Sequence, residues 1–208
     1  MCIQHILHRK RVILINKPLF LLVGKSASGK TTVAEYLKKV KGMKSVQSYS
    51  TRLPRYEGET GHIFVTDEEF DKLENIIGYT EYHGHRYCST KEQLDEADIY
   101  VVDPPGVETL LERYKKEDRT ICIIYFSARL KTRIERMNNR GDAAVNIVGR
   151  LYNDSEYSWW DEIERIYNHY KFIKDDNDIN LDLCYIDANQ DFDSVIKNVI
   201  DVVNQLGG

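Results

Sequence analysis

The sequence lacks most of the marks that would take it out of the ordinary soluble class. Its four cysteines, Cys2, Cys88, Cys122 and Cys184, form no CxxC pair, so a zinc site is not expected, and a chain of 208 residues needs no disulfide framework. That usage fits a reducing cytoplasm. No apolar run approaches the length of a membrane span, which argues against a spanning helix. The stretch MCIQHILHRKRVILINK, residues 1–17, sets a basic cluster (Arg9, Lys10, Arg11) beside a short apolar run, Val12 to Ile15. It has neither the long apolar core nor the small-residue cleavage site of a signal peptide and reads as an N-terminal extension. Positive charge is not in excess either. With a net charge of −4 there is no global basic field to draw nucleic acid or a membrane surface, so any anion site must be local. Repeats and low-complexity linkers are absent, and the six histidines show no metal-binding spacing.

What is present is enough apolar sequence, 42% against 30% charged, for one compact domain with a sizeable core and a small insertion. Leu19 to Val23 is a short apolar run ending at Gly24 and reads as a buried strand; Val33, Ala34, Leu37 and Val40 then recur at helical spacing. Asp67 to Leu73 reads as a short helix capped by Thr66, and Gly78 to Thr90 as a hairpin. Ile99 to Asp103, Thr120 to Phe126 and Leu181 to Asp187 read as further strands, with helical sequence at Val107–Lys116 and Phe192–Leu206. Strands alternating with helices imply a mostly parallel sheet covered on both faces, a three-layer α/β fold.

Between the first strand and helix lies GKSASGKT, Gly24 to Thr31, which matches G-x-x-x-x-G-K-[ST] at every fixed position. Such a loop turns its backbone N–H groups toward phosphate, and the helix N-terminus adds its field. The expected nucleoside triphosphate contacts are Gly24, Ser26, Ala27, Ser28, Gly29, Lys30, Thr31 and Thr32. Lys30 places a point charge on the transferring phosphate, and Thr31 offers its hydroxyl to Mg²⁺. Downstream, STRLPRYEGE carries Arg52 and Arg55 around Pro54. Two guanidinium forks on one stiffened loop can clamp a dianionic phosphate; a solvated basic pair is the plainer alternative.

With both segments in order, the chain resembles the guanylate kinase family of P-loop nucleoside monophosphate kinases from about Leu19 to Leu151. The resemblance implies ATP as donor, GMP or dGMP as acceptor, Mg²⁺ as cofactor, a monomer or homodimer, and no nucleic-acid or membrane partner. It divides the chain into an extension (1–17), a core (18–46, 91–131, 151–208), an acceptor-binding subdomain (47–90) and a helical lid (132–150). Ser48, Arg52, Arg55, Glu59, Glu81, Tyr87, Ser89 and Asp103 fall on its acceptor positions. Glu81 would take the guanine N1–H and N2–H₂ pair, and Ser48 and Ser89 would meet O6. Asp103 is expected either to reach Mg²⁺, directly or through water, or simply to cap the turn. In the lid, RIERMNNRGDAAVNIVGRL places Arg136, Arg140 and Arg150 on the family's arginine positions, to stabilise the moving phosphoryl group.

Departures are concrete. The segments between Glu59 and Phe64 and between Glu81 and Tyr87 are short, His62 replaces a tyrosine, and Arg86-Tyr87-Cys88 stands for Tyr-Tyr-Gly. For the adenine pocket, Tyr170–Asp178 and Cys184–Asp191 fit comparably. Trp159 and Trp160 read as core and rim aromatics. A kinase of another monophosphate and a guanylate kinase-like binding module without activity are the rival readings.

Overall fold

The computed structural model describes residues 16–54, 57–82, 84–114, 119–173 and 180–207. The expectations placed on residues 1–15, on Arg55 and on residues 174–178 lie outside these. The chain forms a P-loop NTPase-type α/β fold around four parallel strands: β1 (Asn16–Val23), β6 (Ile99–Val101), β7 (Arg119–Ser127) and β8 (Leu181–Asp187), in the order β6-β1-β7-β8. Leu21 pairs with Tyr100 on one side and Ile123 on the other, so β1 is interior. Alternation along the strands splits the core in two. Leu19, Leu21, Ile121 and Ile123 pack under α4 (Pro104–Arg113) and α7 (Trp159–Asn168) through Val107, Leu110, Ile163 and Ile166. Phe20, Leu22, Cys122 and Ile124 pack under α1 (Lys30–Lys41) and α8 (Phe192–Gln205) through Val33, Leu37, Val199 and Val203. Both faces being covered is why these strands read as continuous apolar runs.

A second sheet, β3-β2-β5-β4, is built from β2 (Ser48–Ser50), β3 (His62–Phe64), β4 (Ile76–Tyr82) and β5 (His85–Thr90). β2 and β3 are parallel, whereas β5 pairs antiparallel with both β2 and β4. Two short helices flank it, α2 (Asp67–Phe70) and α3 (Lys91–Glu96), and each starts with a capping box, Thr66/Glu69 and Thr90/Gln93. It meets the main sheet where Tyr79 and Gly78 lie against Thr109 and Tyr100. After β7 come α5 (Leu130–Asn139) and α6 (Ala144–Asn153).

One element differs from its sequence reading. The helix expected from Val107 starts three residues earlier: Pro104-Pro105 opens α4, where proline's missing N–H is one no helix could bond, with Asp103 as N-cap. Among the described residues no helix is long and apolar enough to cross a membrane.

Candidate functional site

The loop from Gly24 to Gly29 leaves β1 at the carboxyl edge of the sheet and delivers the chain to α1, whose N-cap Gly29 has φ 105°. Gly24 has φ 152°, and a Cβ there would lie 2.5 Å from the Phe126 carbonyl, so only glycine fits. The loop's carbonyls are held from outside. Lys30 Nζ donates to those of Gly24 and Lys25 at 2.5 and 3.1 Å, and Arg133 Nε to that of Ser26 at 2.9 Å. Arg136 Nη1 donates to those of Ala27 and Ser28 at 3.4 and 3.2 Å. Desolvation pushes the Lys30 ammonium down to about 8, against the pull of Asp154.

On one side of Lys30 is a cavity of about 340 Å³ lined by Ala27, Ser28, Gly29, Lys30, Thr31, Thr32, Arg136 and Arg140, with Ala188, Phe192 and Val195 behind them. On the other is a cavity of about 190 Å³ that Lys30 also lines, with Gly24, Ser26, Ser48, Arg52, His62, Thr80, Tyr82, Tyr87, Tyr100, Asp103 and Trp159. A single ammonium therefore borders both chambers. Arg52, almost fully buried, forks onto Glu59 at 2.6 and 2.9 Å and lies over the Phe64 ring at 4.9 Å. Ser48 Oγ and His62 Nδ1 are 2.8 Å apart, and the His62 ring meets Tyr87 edge-on. Asp103 accepts hydrogen bonds from the Gly106 amide and the Thr80 hydroxyl, both at 2.9 Å. Burial raises its pKa despite these bonds.

Not every expected residue reaches a chamber. Glu81 is exposed and accepts the Tyr79 hydroxyl at 2.5 Å; it lies on the opposite face of β4 from Thr80 and Tyr82, which line the smaller cavity. Its expected guanine contact is corrected accordingly. Ser89 is fully buried and donates to the Ile77 carbonyl at 2.9 Å, so its hydroxyl serves the sheet. Glu59 acts on the site through Arg52 rather than from the wall. Among the arginines expected in a lid, Arg136 is committed to loop carbonyls and to that of Ala188. Arg140 and Arg150 both pair with Asp142, at 2.5 and 3.2 Å, and Arg150 lines neither cavity.

The wall residues Thr80, Tyr82 and Tyr100 went unread in the sequence, as did Arg133 and Asp154, whereas Trp159, read as a core or rim aromatic, packs in the core and also lines the cavity. No local signal marks the wall: the facing of Thr80 and Tyr82 depends on a register shift in β4, and Trp159 reaches the cavity from α7. Hard oxygen donors fit a magnesium ion at this edge: Thr31 presents a hydroxyl beside the loop and Asp103 a carboxylate. No group of three or more His, Cys, Asp or Glu suited to a metal exists among the described residues.

No family model matches the chain. A guanylate kinase of Fusobacterium nucleatum subsp. nucleatum is 26% identical over 148 residues, 65% of this chain and 78% of that protein. The crystal structure of guanylate kinase from Anaplasma phagocytophilum superposes with a TM-score of 0.51 at 18% identity, covering 93% of this chain and 88% of that one. A de novo designed protein of P-loop NTPase fold also aligns, at 12% identity and a TM-score of 0.39, over 92% of this chain and 94% of its own. The sequence relative and the first of these structures are both guanylate kinases, and it is the guanylate kinase family that this chain resembles.

Proposed function

We propose that the chain is a nucleoside monophosphate kinase that transfers the γ-phosphoryl group of Mg·ATP to GMP or dGMP, giving ADP and GDP or dGDP. The observation that carries this reading is the position of Lys30 on the walls of two cavities at once. A hydrolase or a nucleotide switch needs one chamber and a water; a second chamber holding a buried arginine is what an anionic acceptor requires.

This reading assigns each residue a role. Loop amides and the N-terminus of α1 receive the β- and γ-phosphates. Lys30 exchanges its carbonyl partners for phosphate oxygens and follows the phosphoryl group between chambers. Arg52, already oriented by Glu59 and Phe64, meets the acceptor phosphate with Tyr87 and the Ser48–His62 pair beside it. Arg140 and Arg150 supply positive charge from the lid as the equatorial oxygens gain charge. Mg²⁺, held through Thr31 and Asp103 when bound, would neutralise charge on the β- and γ-oxygens. No general base is called for, because the attacking oxygen already belongs to an anion and positioning does most of the work.

A second reading, transfer to a different monophosphate, is favoured by a specific observation. Of the three side chains expected to read guanine, Glu81 faces away, Ser89 is spent on the Ile77 carbonyl and Ser48 is bonded to His62. Asp103 is the carboxylate that lines the acceptor cavity, and it already holds Thr80 and Gly106. The test is ADP release from Mg·ATP with GMP, dGMP, IMP, AMP, CMP, UMP and dTMP in separate reactions, beside a Lys30→Ala control. Turnover with guanine nucleotides alone supports the first reading, and turnover with another monophosphate the second. Silence throughout, with ATP bound, refutes both.

A further inference from the structure

The roles above leave one buried ion pair unused. Arg133 and Asp154, with side chains 6% and 1% exposed, approach to 2.6 Å, yet neither lines a cavity. Stability does not explain such a pair, since desolvating two charges offsets most of their attraction and apolar residues of similar volume would serve a core as well. What sets it apart is its third member. Asp154 Oδ2 accepts the Ser26 N–H at 2.9 Å, Oδ1 accepts the Ser26 hydroxyl at 3.3 Å, and Arg133 Nε donates to the Ser26 carbonyl at 2.9 Å. Both backbone groups of one phosphate-loop residue are thus gripped by a single ion pair.

The loop needs such a grip. Ala27 sits at φ 60°, left-handed for a residue with a Cβ. Its amides can face a phosphate only while its carbonyls are held outward. Of the three cations doing so, Lys30 must let go when phosphate arrives, which leaves Arg133 and Arg136. Asp154 also follows directly on α6, four residues beyond Arg150, so the contact that shapes the loop anchors the end of the lid helix.

We propose that Arg133 and Asp154 are positioning residues for the donor nucleotide, holding the phosphate loop in its receiving form through Ser26; this rests on reading that loop as the donor site. The decisive variant is Arg133→Lys, which keeps a charge opposite Asp154 but has one nitrogen where two acceptors in different directions must be served. Mg·ATP affinity by calorimetry should fall about tenfold, the worth of one charge-assisted hydrogen bond, while the acceptor KM stays within about twofold. Asp154→Asn should act in the same direction and more strongly. Should that variant fail to fold, Arg133→Lys still decides. The melting temperature of the unliganded protein is measured alongside, because a purely structural pair would lower it and leave the donor affinity of the folded protein untouched. Wild-type donor affinity in folded Arg133→Lys overturns the proposal, as does an equal loss for both substrates. Lys30→Ala separates the two layers: if it binds Mg·ATP like the wild type, the donor-site reading itself falls, whereas a loss there with none in Arg133→Lys removes the clamp alone.

Discussion

Replacing Arg52 by alanine should produce two losses that can be pulled apart. The first is structural. The Arg52 and Glu59 side chains are 8% and 6% exposed and joined by two hydrogen bonds, so Arg52→Ala strips a buried carboxylate of its forked partner. Breaking a buried pair from one side costs about 3–5 kcal/mol, and Glu59 retains a further contact, so about 3 kcal/mol is expected here. Losing the stack on Phe64 adds about 0.5–1 kcal/mol. The second loss is functional: an acceptor phosphate deprived of its guanidinium should bind about 2–5 kcal/mol more weakly, which is roughly a 30-fold or greater rise in acceptor KM. The double variant Arg52→Ala/Glu59→Gln separates them, since the neutral amide no longer needs a cation. Urea unfolding should recover about 2 kcal/mol relative to the single variant. The acceptor KM at saturating ATP should not recover. If stability and acceptor KM return together, Arg52 exists to hold Glu59, and its assignment to the acceptor phosphate is wrong.

Other expectations are as direct. Lys30 titrates at about 8 in the folded chain against an ordinary 10.5. The unfolded chain therefore keeps a proton the folded one has shed, so stability should rise with pH between these values; relative to Lys30→Met, the wild type should gain about 2 kcal/mol from pH 8 to 10, read by urea unfolding. Glu81→Gln should leave the acceptor KM within about twofold, because the side chain faces away from the cavity; a tenfold rise would restore it to the site. Gly24→Ala should cost more than about 2 kcal/mol and abolish ATP binding, given the 2.5 Å approach to the Phe126 carbonyl. Asp103→Ala should destabilise by about 1 kcal/mol through the lost cap of α4 and slow transfer with it, as measured by melting and steady-state kinetics.

How far the sequence could be read depended on how local each feature is. The phosphate loop is contiguous, and its chemistry depends on spacing along one turn, so Gly24 to Thr31 was legible outright. The strands of the main sheet were legible for a different reason: covered on both faces, they show as unbroken apolar runs. Glu81 failed on parity. The β4–β5 register shifts between Ile77 and Thr80, at Gly78 with φ 63°, and such a shift exchanges the faces of every residue beyond it. Nothing in the string of letters announces that shift. Proline was ambiguous for the reason that it both ends strands and begins helices, and only Asp103 as cap decides between them. Arg133 and Asp154 lay beyond local reading altogether, because they meet Ser26 across 107 and 128 residues of chain.

The interior place of β1 has a consequence for the order in which the molecule matures. The strand is complete at Val23, yet its hydrogen-bonding neighbours are Ile99–Val101 and Arg119–Ser127. At roughly 5–20 residues per second of synthesis, several seconds pass during which a largely apolar strand has no partner on either edge. The small sheet from Ser48 to Thr90 closes through near neighbours and has the shorter search. Nascent chains should therefore complete the small sheet first. The loop from Gly24 to Gly29, although among the earliest segments to be translated, must wait for α5 and α6 to bring Arg133, Arg136 and Asp154, and is among the last parts to take its final shape.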